Sequence, residues 1–209
     1  MTRLERDAAA LCERAVALGA RAARPLPALE VVVDPRVVLK CRVPLCAGYG
    51  RNLMCPPFAP TGEQFAAALR RYSLALVAQQ GIPLTATDVQ RRYDGKGIDE
   101  LQASKAYQGA LAAGQNDFAA VLDGLEREAL SLGYVFAAAF GGGECRLCET
   151  CVAAVTGAST TAPCRKPFRA RPSMEAVGID VLATAAAAGL PVQMPAGDDP
   201  VWTGLLLLD

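Results

Sequence analysis

Cys145, Cys148 and Cys151 stand at C-x2-C-x2-C spacing, and Cys164 follows after twelve intervening residues, with Pro167 three positions later. Thiolates two residues apart can wrap one face of a metal cube. Three grouped thiolates plus a distant fourth are the usual way to hold a [4Fe–4S] cluster. Structural zinc is the alternative, but its thiolates are more often paired as two separate C-x2-C units. Here three are grouped and one stands apart, which favours the cube. Gly141, Gly142 and Gly143 precede the group. Having no Cβ, they let the backbone come close to a metal centre.

A second group lies in the stretch CRVPLCAGYGRNLMCPP, as Cys41, Cys46 and Cys55. Its spacing is irregular, and seven thiolates cannot fill two four-thiolate clusters. Four readings stay open: a second cluster with one vacant iron, ligand exchange between the groups as in two-cluster ferredoxins, a lone zinc site, or free thiols. An Asp or Glu oxygen is a possible fourth ligand. A vacant coordination position would let the metal act on a substrate. Cys12 belongs to neither group and reads as a small core residue on an amphipathic helix. Arg165, Lys166, Arg169 and Arg171 follow Cys164 closely. They read either as a solvated turn or as charges that raise a cluster's potential or recruit an acidic redox partner.

Composition narrows the chemistry further. The chain of 209 residues has no histidine, which removes Ser-His-Asp and Cys-His catalysis and every His-ligated zinc site. Lys+Arg and Asp+Glu are both 21, so no basic excess points to nucleic acid or a membrane surface. No apolar run approaches the roughly 18 residues of a membrane span. The charged N-terminal pattern reads as a helix rather than a signal peptide, so a cytoplasmic location is expected. In that compartment, eight cysteines read as metal ligands before disulfides. Oligomeric state has no signature here.

The elements that must position these thiols can be read from periodicity. Residues 3–19 predict an amphipathic helix through Leu4, Ala8, Leu11, Ala15 and Leu18, ended by Pro25 and Pro27. The runs 29–33 and 37–40 predict two strands turning at Asp34-Pro35. Thr61 or Gly62 opens a helix to about residue 71, and 72–78 reads as a strand. Residues 81–104 read as a long surface loop or a lid. A helix is expected over 105–132 with Gly133 as its cap. The apolar run 134–140 predicts a buried strand leading into the glycines. Ser173 opens a helix to about residue 188, Gly189 ends it, and 202–208 is a last strand. The expected class is α/β: a single domain over 1–209, a mixed sheet flanked by helices, and a metal lobe formed by cysteine-rich loops 41–57 and 141–167.

The chain resembles the predicted metal-binding proteins grouped as domain of unknown function 2284. The resemblance rests on Leu39-Lys40-Cys41, on Cys46 with Gly48-Tyr49-Gly50, and on Cys55-Pro56-Pro57. It continues through Gly143, Cys145, Cys148, Cys151, Cys164 and Pro167, and then along residues 171–181. It implies metal binding, as iron–sulfur, and no particular reaction. Three functions are carried forward: an iron–sulfur protein exchanging electrons with a protein partner, an enzyme using an open-site [4Fe–4S] cluster on a small substrate, and a zinc-stabilised interaction protein.

Overall fold

The strand β4, Val201–Leu208, lies inside a four-stranded sheet with the order β1-β2-β4-β3. Its neighbours are β2, Leu74–Gly81, and the short β3, Ala138–Phe140; β1, Ala22–Pro27, forms the far edge. The structure is a computed structural model that describes residues 2–85, 87, 88, 97, 100, 103–156, 162–190, 192 and 199–209. All three strand pairings are antiparallel, and an isolated parallel bridge joins Gly141 to Ser173 just beyond β3. The α/β class expected from the sequence is the one the chain adopts.

Helices cover both faces of the sheet, which explains the unbroken run Leu205–Leu208. Successive strand side chains point to opposite faces, and here each face is dry. Leu206, Leu208, Leu76 and Ala78 pack against α1, Arg3–Ala17, and α4, Lys105–Ser131, through Leu11, Phe118, Leu122 and Leu125. Leu205, Leu207, Ala75 and Val77 face α3, Gly62–Leu69, and the segment carrying Met174, Val177 and Ile179. On that side the Phe65 and Phe140 rings meet edge-on, 5.1 Å apart. Both α1 and α3 open with capping boxes, Thr2 with Glu5 and Thr61 with Gln64.

Gly204 lies on β4 pressed between α4 and β3. A Cβ there would lie 2.9 Å from both the Phe140 carbonyl oxygen and Leu122 Cδ1, and 3.0 Å from Phe118 Cζ. Gly204→Ala should therefore destabilise the fold by about 1–3 kcal/mol through overpacking. Chemical denaturation checks this; an unchanged midpoint would contradict it.

Four local expectations are corrected. Pro25 and Pro27 do not merely end a helix; they lie in β1, where an edge strand tolerates residues without an N–H. Residues 29–33 and 37–40 are not paired strands. Ala28–Glu30 forms a 3-10 turn and Pro35–Leu39 forms α2, because Asp34 is an N-cap, accepting from Arg36 N at 2.8 Å, with Pro35 in the first turn. In the run 134–140 only the last three residues are strand. Val135 and Phe136 are 66% and 69% exposed in a turn, held by Tyr72 Oη donating to the Phe136 carbonyl at 2.8 Å. The helix expected from Ser173 is broken into a 3-10 turn, Glu175–Val177, and α5, Val181–Ala187, capped by Asp180. Gly178 makes the break with φ +85, and a Cβ there would stand 3.3 Å from Gly62 Cα. Most of the expected loop or lid over 81–104 lies outside the described residues.

Candidate metal centre

The loop that carries Cys145, Cys148, Cys151 and Cys164 is tied at its base. As β3 ends, Gly141 N donates to the Pro172 carbonyl and Met174 N donates to the Gly141 carbonyl, each at 2.9 Å. The chain thus leaves and re-enters the sheet region at one point. Arg171 secures the returning end. Its guanidinium is paired with Asp123, at 3.3 Å, and with Glu126, both on α4. Its side chain is only 13% exposed, so this is a largely buried ion pair between the loop and the core. Of the four basic residues after Cys164, Arg171 is structural, whereas Arg165, Lys166 and Arg169 are exposed.

The glycines make room for protein rather than lying open to a ligand. A Cβ on Gly142 would be 3.0 Å from the Thr203 carbonyl oxygen on β4. Gly143 has φ +73, and a Cβ there would collide with the Gln115 amide of α4. That amide donates to the Gly142 carbonyl at 3.1 Å. The strand end, α4 and the base of the cysteine loop are therefore packed as one unit.

The segment with Cys41, Cys46 and Cys55 leaves the short helix α2, not a strand, and proceeds by turns. Cys46 N donates to the Cys41 carbonyl at 3.1 Å and Gly50 N to the Pro56 carbonyl at 2.9 Å. It touches the other cysteine loop at specific points. The buried Asn52 donates through Nδ2 to the Cys145 carbonyl at 2.8 Å, while its Oδ1 accepts from Met54 N at 3.0 Å. At Gly48, a Cβ would stand 3.1 Å from Cys55 Sγ and 3.2 Å from Glu144 Oε2, so the missing side chain lets thiol and carboxylate share that space. Glu144 also pairs with Arg146 at 3.1 Å. Asn52, Gln115 and Glu144 carry no motif, and only their cross-chain contacts reveal them.

Between the two segments lies an open cavity of about 510 Å3, lined by Cys145, Cys148, Cys151 and Cys164. Residues 47, 48 and 51–54 form the facing wall. Cys41, Cys46 and Cys55 are not on its lining. The volume falls within the few hundred to about 1,000 Å3 of small-ligand pockets. Two of the four lining cysteines accept a backbone N–H at sulfur. Leu53 N donates to Cys151 Sγ at 3.5 Å, and Lys166 N donates to Cys164 Sγ at 3.3 Å. Such bonds favour the thiolate, the form that ligates metal.

Electrostatics report the same neighbourhoods. Burial pushes the Cys145 thiol up, and the nearby Cys164, Cys148 and Cys151 add to this, against the lowering bond from Leu147. Cys55 is pushed up to about 12, first by burial, then by Glu144, Cys46, Cys41 and Cys145. Cys41 is raised by burial and then by Cys46 and Glu175. All eight cysteines are free thiols. Among the described residues no three Cys, Asp or Glu side chains converge tightly enough to hold one metal ion. A cube spreads its thiolates over four irons, so its ligands need no such convergence.

A family profile described as a predicted metal-binding protein, domain of unknown function 2284, matches residues 24–208. The chain belongs to this family. Both cysteine groups fall inside the matched stretch, and Cys12 falls outside it. No curated protein and no solved structure gives a significant match. Among the described residues no helix is long and apolar enough to cross a membrane.

Cys12 packs half-buried against the core, and burial raises its thiol to about 11. Cys12→Ala should leave bound metal unchanged and cost at most about 1 kcal/mol, since only one small atom is lost from a half-buried site. Loss of a metal equivalent, measured by elemental analysis, would contradict this.

Proposed function

We propose that this protein holds a [4Fe–4S] cluster on Cys145, Cys148, Cys151 and Cys164 and exchanges electrons with a protein partner. The observation that carries the reading is one cavity lined by those four cysteines, two of whose sulfurs take backbone N–H donors. The donor set is all thiolate and histidine-free, which suits iron–sulfur or zinc; the three-plus-one spacing suits the cube better. When bound, the cluster supplies one-electron chemistry. The chain's own residues orient the ligands and protect them. Asn52 fixes the Cys145 carbonyl, Leu53 N steadies the Cys151 sulfur, and Arg171 anchors the loop to α4. Hydrogen bonds to cluster sulfurs and partial burial are the levers by which a protein sets the reduction potential. Protein made anaerobically should be brown, and Cys145→Ala should bleach it. Colourless protein with stoichiometric zinc would favour the structural-zinc alternative.

A second reading adds an enzymatic role at Cys41, Cys46 and Cys55, favoured by the approach of Glu144 to Cys55 at Gly48. Three thiolates and one carboxylate would hold a second centre with a more labile position than four thiolates give. Cys41→Ala should then lower metal content by one centre and leave the other spectroscopically intact. Added cyanide should perturb only the centre that the substitution removes. One cluster per chain, with these three cysteines free, would eliminate this reading and leave the first untouched.

A further inference from the structure

The surface around the cysteine cavity differs sharply from the neutral chain as a whole. Positions 36–51 contain Arg36, Lys40, Arg42 and Arg51 and no acidic residue; positions 164–171 contain Arg165, Lys166, Arg169 and Arg171 and again none. Arg36 is paired with Asp34, and Arg171 is buried against α4. Lys40, Arg42, Arg51, Arg165, Lys166 and Arg169 remain, all exposed, and none enters a salt bridge among the described residues. Arg51 and Lys166 line the cavity, one on each of the two segments, so unpaired positive charge stands on both of its walls. Glu144 is neutralised by Arg146, which leaves Glu149 as the exposed acid of that wall.

Large apolar side chains stand among these charges without cover. Phe168 is 87% exposed, Val43 75% and Leu45 71%. A cationic ring with protruding apolar anchors is what an electrostatically steered protein interface requires: charge brings the partner in and apolar contacts hold it. Nucleic acid fits less well. Its single strands are gripped by stacking on aromatic side chains, and here two of the three anchors are aliphatic.

We propose that this rim is the docking surface for an acidic electron-carrier protein. The proposal rests on the cluster reading for its purpose, since one electron would pass between carrier and cluster: one centre loses it, the other gains it, and no proton or group moves. The docking geometry itself needs only the exposed side chains.

The test uses the full chain, purified anaerobically, with an acidic plant-type [2Fe–2S] ferredoxin as probe. Binding is followed by calorimetry and cluster content by visible absorption. Affinity should fall about tenfold or more between about 50 mM and about 500 mM salt, as screened charges require. Arg42→Glu combined with Arg169→Glu, neither of which lines the cavity, should weaken binding at least about tenfold with circular dichroism and cluster absorption unchanged, because surface charge pairs steer association. Phe168→Ser should weaken it without altering the salt dependence. Salt-independent binding, or charge-reversed variants that bind like the parent while folded, would overturn the proposal. So would a uridine oligonucleotide that binds more tightly than the ferredoxin, which would assign the rim to nucleic acid. If the chain binds the ferredoxin as described but carries no iron, the docking surface stands and the cluster reading fails; iron without docking gives the reverse.

Discussion

Cys148→Ala is expected to strip the four-cysteine centre of its metal, with loss of the visible absorption that this centre contributes. The effect should exceed the roughly 10–100-fold loss of metal affinity typical when only a supporting partner is removed. Cys148 sits in the middle of the grouped triple and lines the cavity together with Cys145, Cys151 and Cys164. No histidine exists anywhere to replace it. Asn52→Ala provides the contrast. It removes the hydrogen bond to the Cys145 carbonyl but no ligand, so it should weaken metal retention without abolishing it. Parallel iron analysis of the two variants separates ligand from support. Equal losses would mean that Cys148 acts only by packing.

Arg171→Ala is expected to be the most destabilising single substitution near the site. It would leave Glu126 without its cation and Asp123 with only the exposed Arg127, at 3.0 Å, in a largely buried setting where the two carboxylates are 14% and 9% exposed. Removing one partner of a buried ion pair typically costs about 3–5 kcal/mol. Glu126 also accepts from Ala139 N on β3 at 3.1 Å, so the disturbance would reach the sheet edge that leads into the cysteine loop. Arg171→Lys keeps the charge but not the fork that reaches both carboxylates, and should fall between the two. Denaturant midpoints of the three proteins check the order. A change below about 1 kcal/mol for Arg171→Ala would show that the pair behaves like a solvent-exposed one.

The fold was legible where one local signal decided the outcome. The helices α1 and α4 follow from apolar periodicity, α3 from its start at Thr61, and β4 from its leucine run. Sequence and structure diverge where one residue type serves two structures. Asp34-Pro35 suits both a turn and a helix start, and the neighbouring valines favoured the strand interpretation. Pro25 and Pro27 looked like breakers, yet an edge position spares them the missing N–H. Gly178 breaks a helical pattern because the backbone of Gly62 lies against it, a contact across more than a hundred positions that no local window contains.

The candidate site divides along the same line. Its cysteines were visible from their spacing. Their supports were not, because Asn52, Gln115 and Arg171 act as single polar side chains on distant carbonyls or carboxylates. Nor was it visible that α2, rather than a strand, delivers the first cysteine group. The triple glycine stands out in the sequence, and its role is to pack against β4 and α4.

Iron, acid-labile sulfide and zinc, measured together on protein expressed with adequate iron and purified without oxygen, test the central claim most directly. Iron and sulfide in equal amounts, at four of each per chain or more, are expected for [4Fe–4S] on Cys145, Cys148, Cys151 and Cys164. Stoichiometric zinc with no sulfide would contradict it.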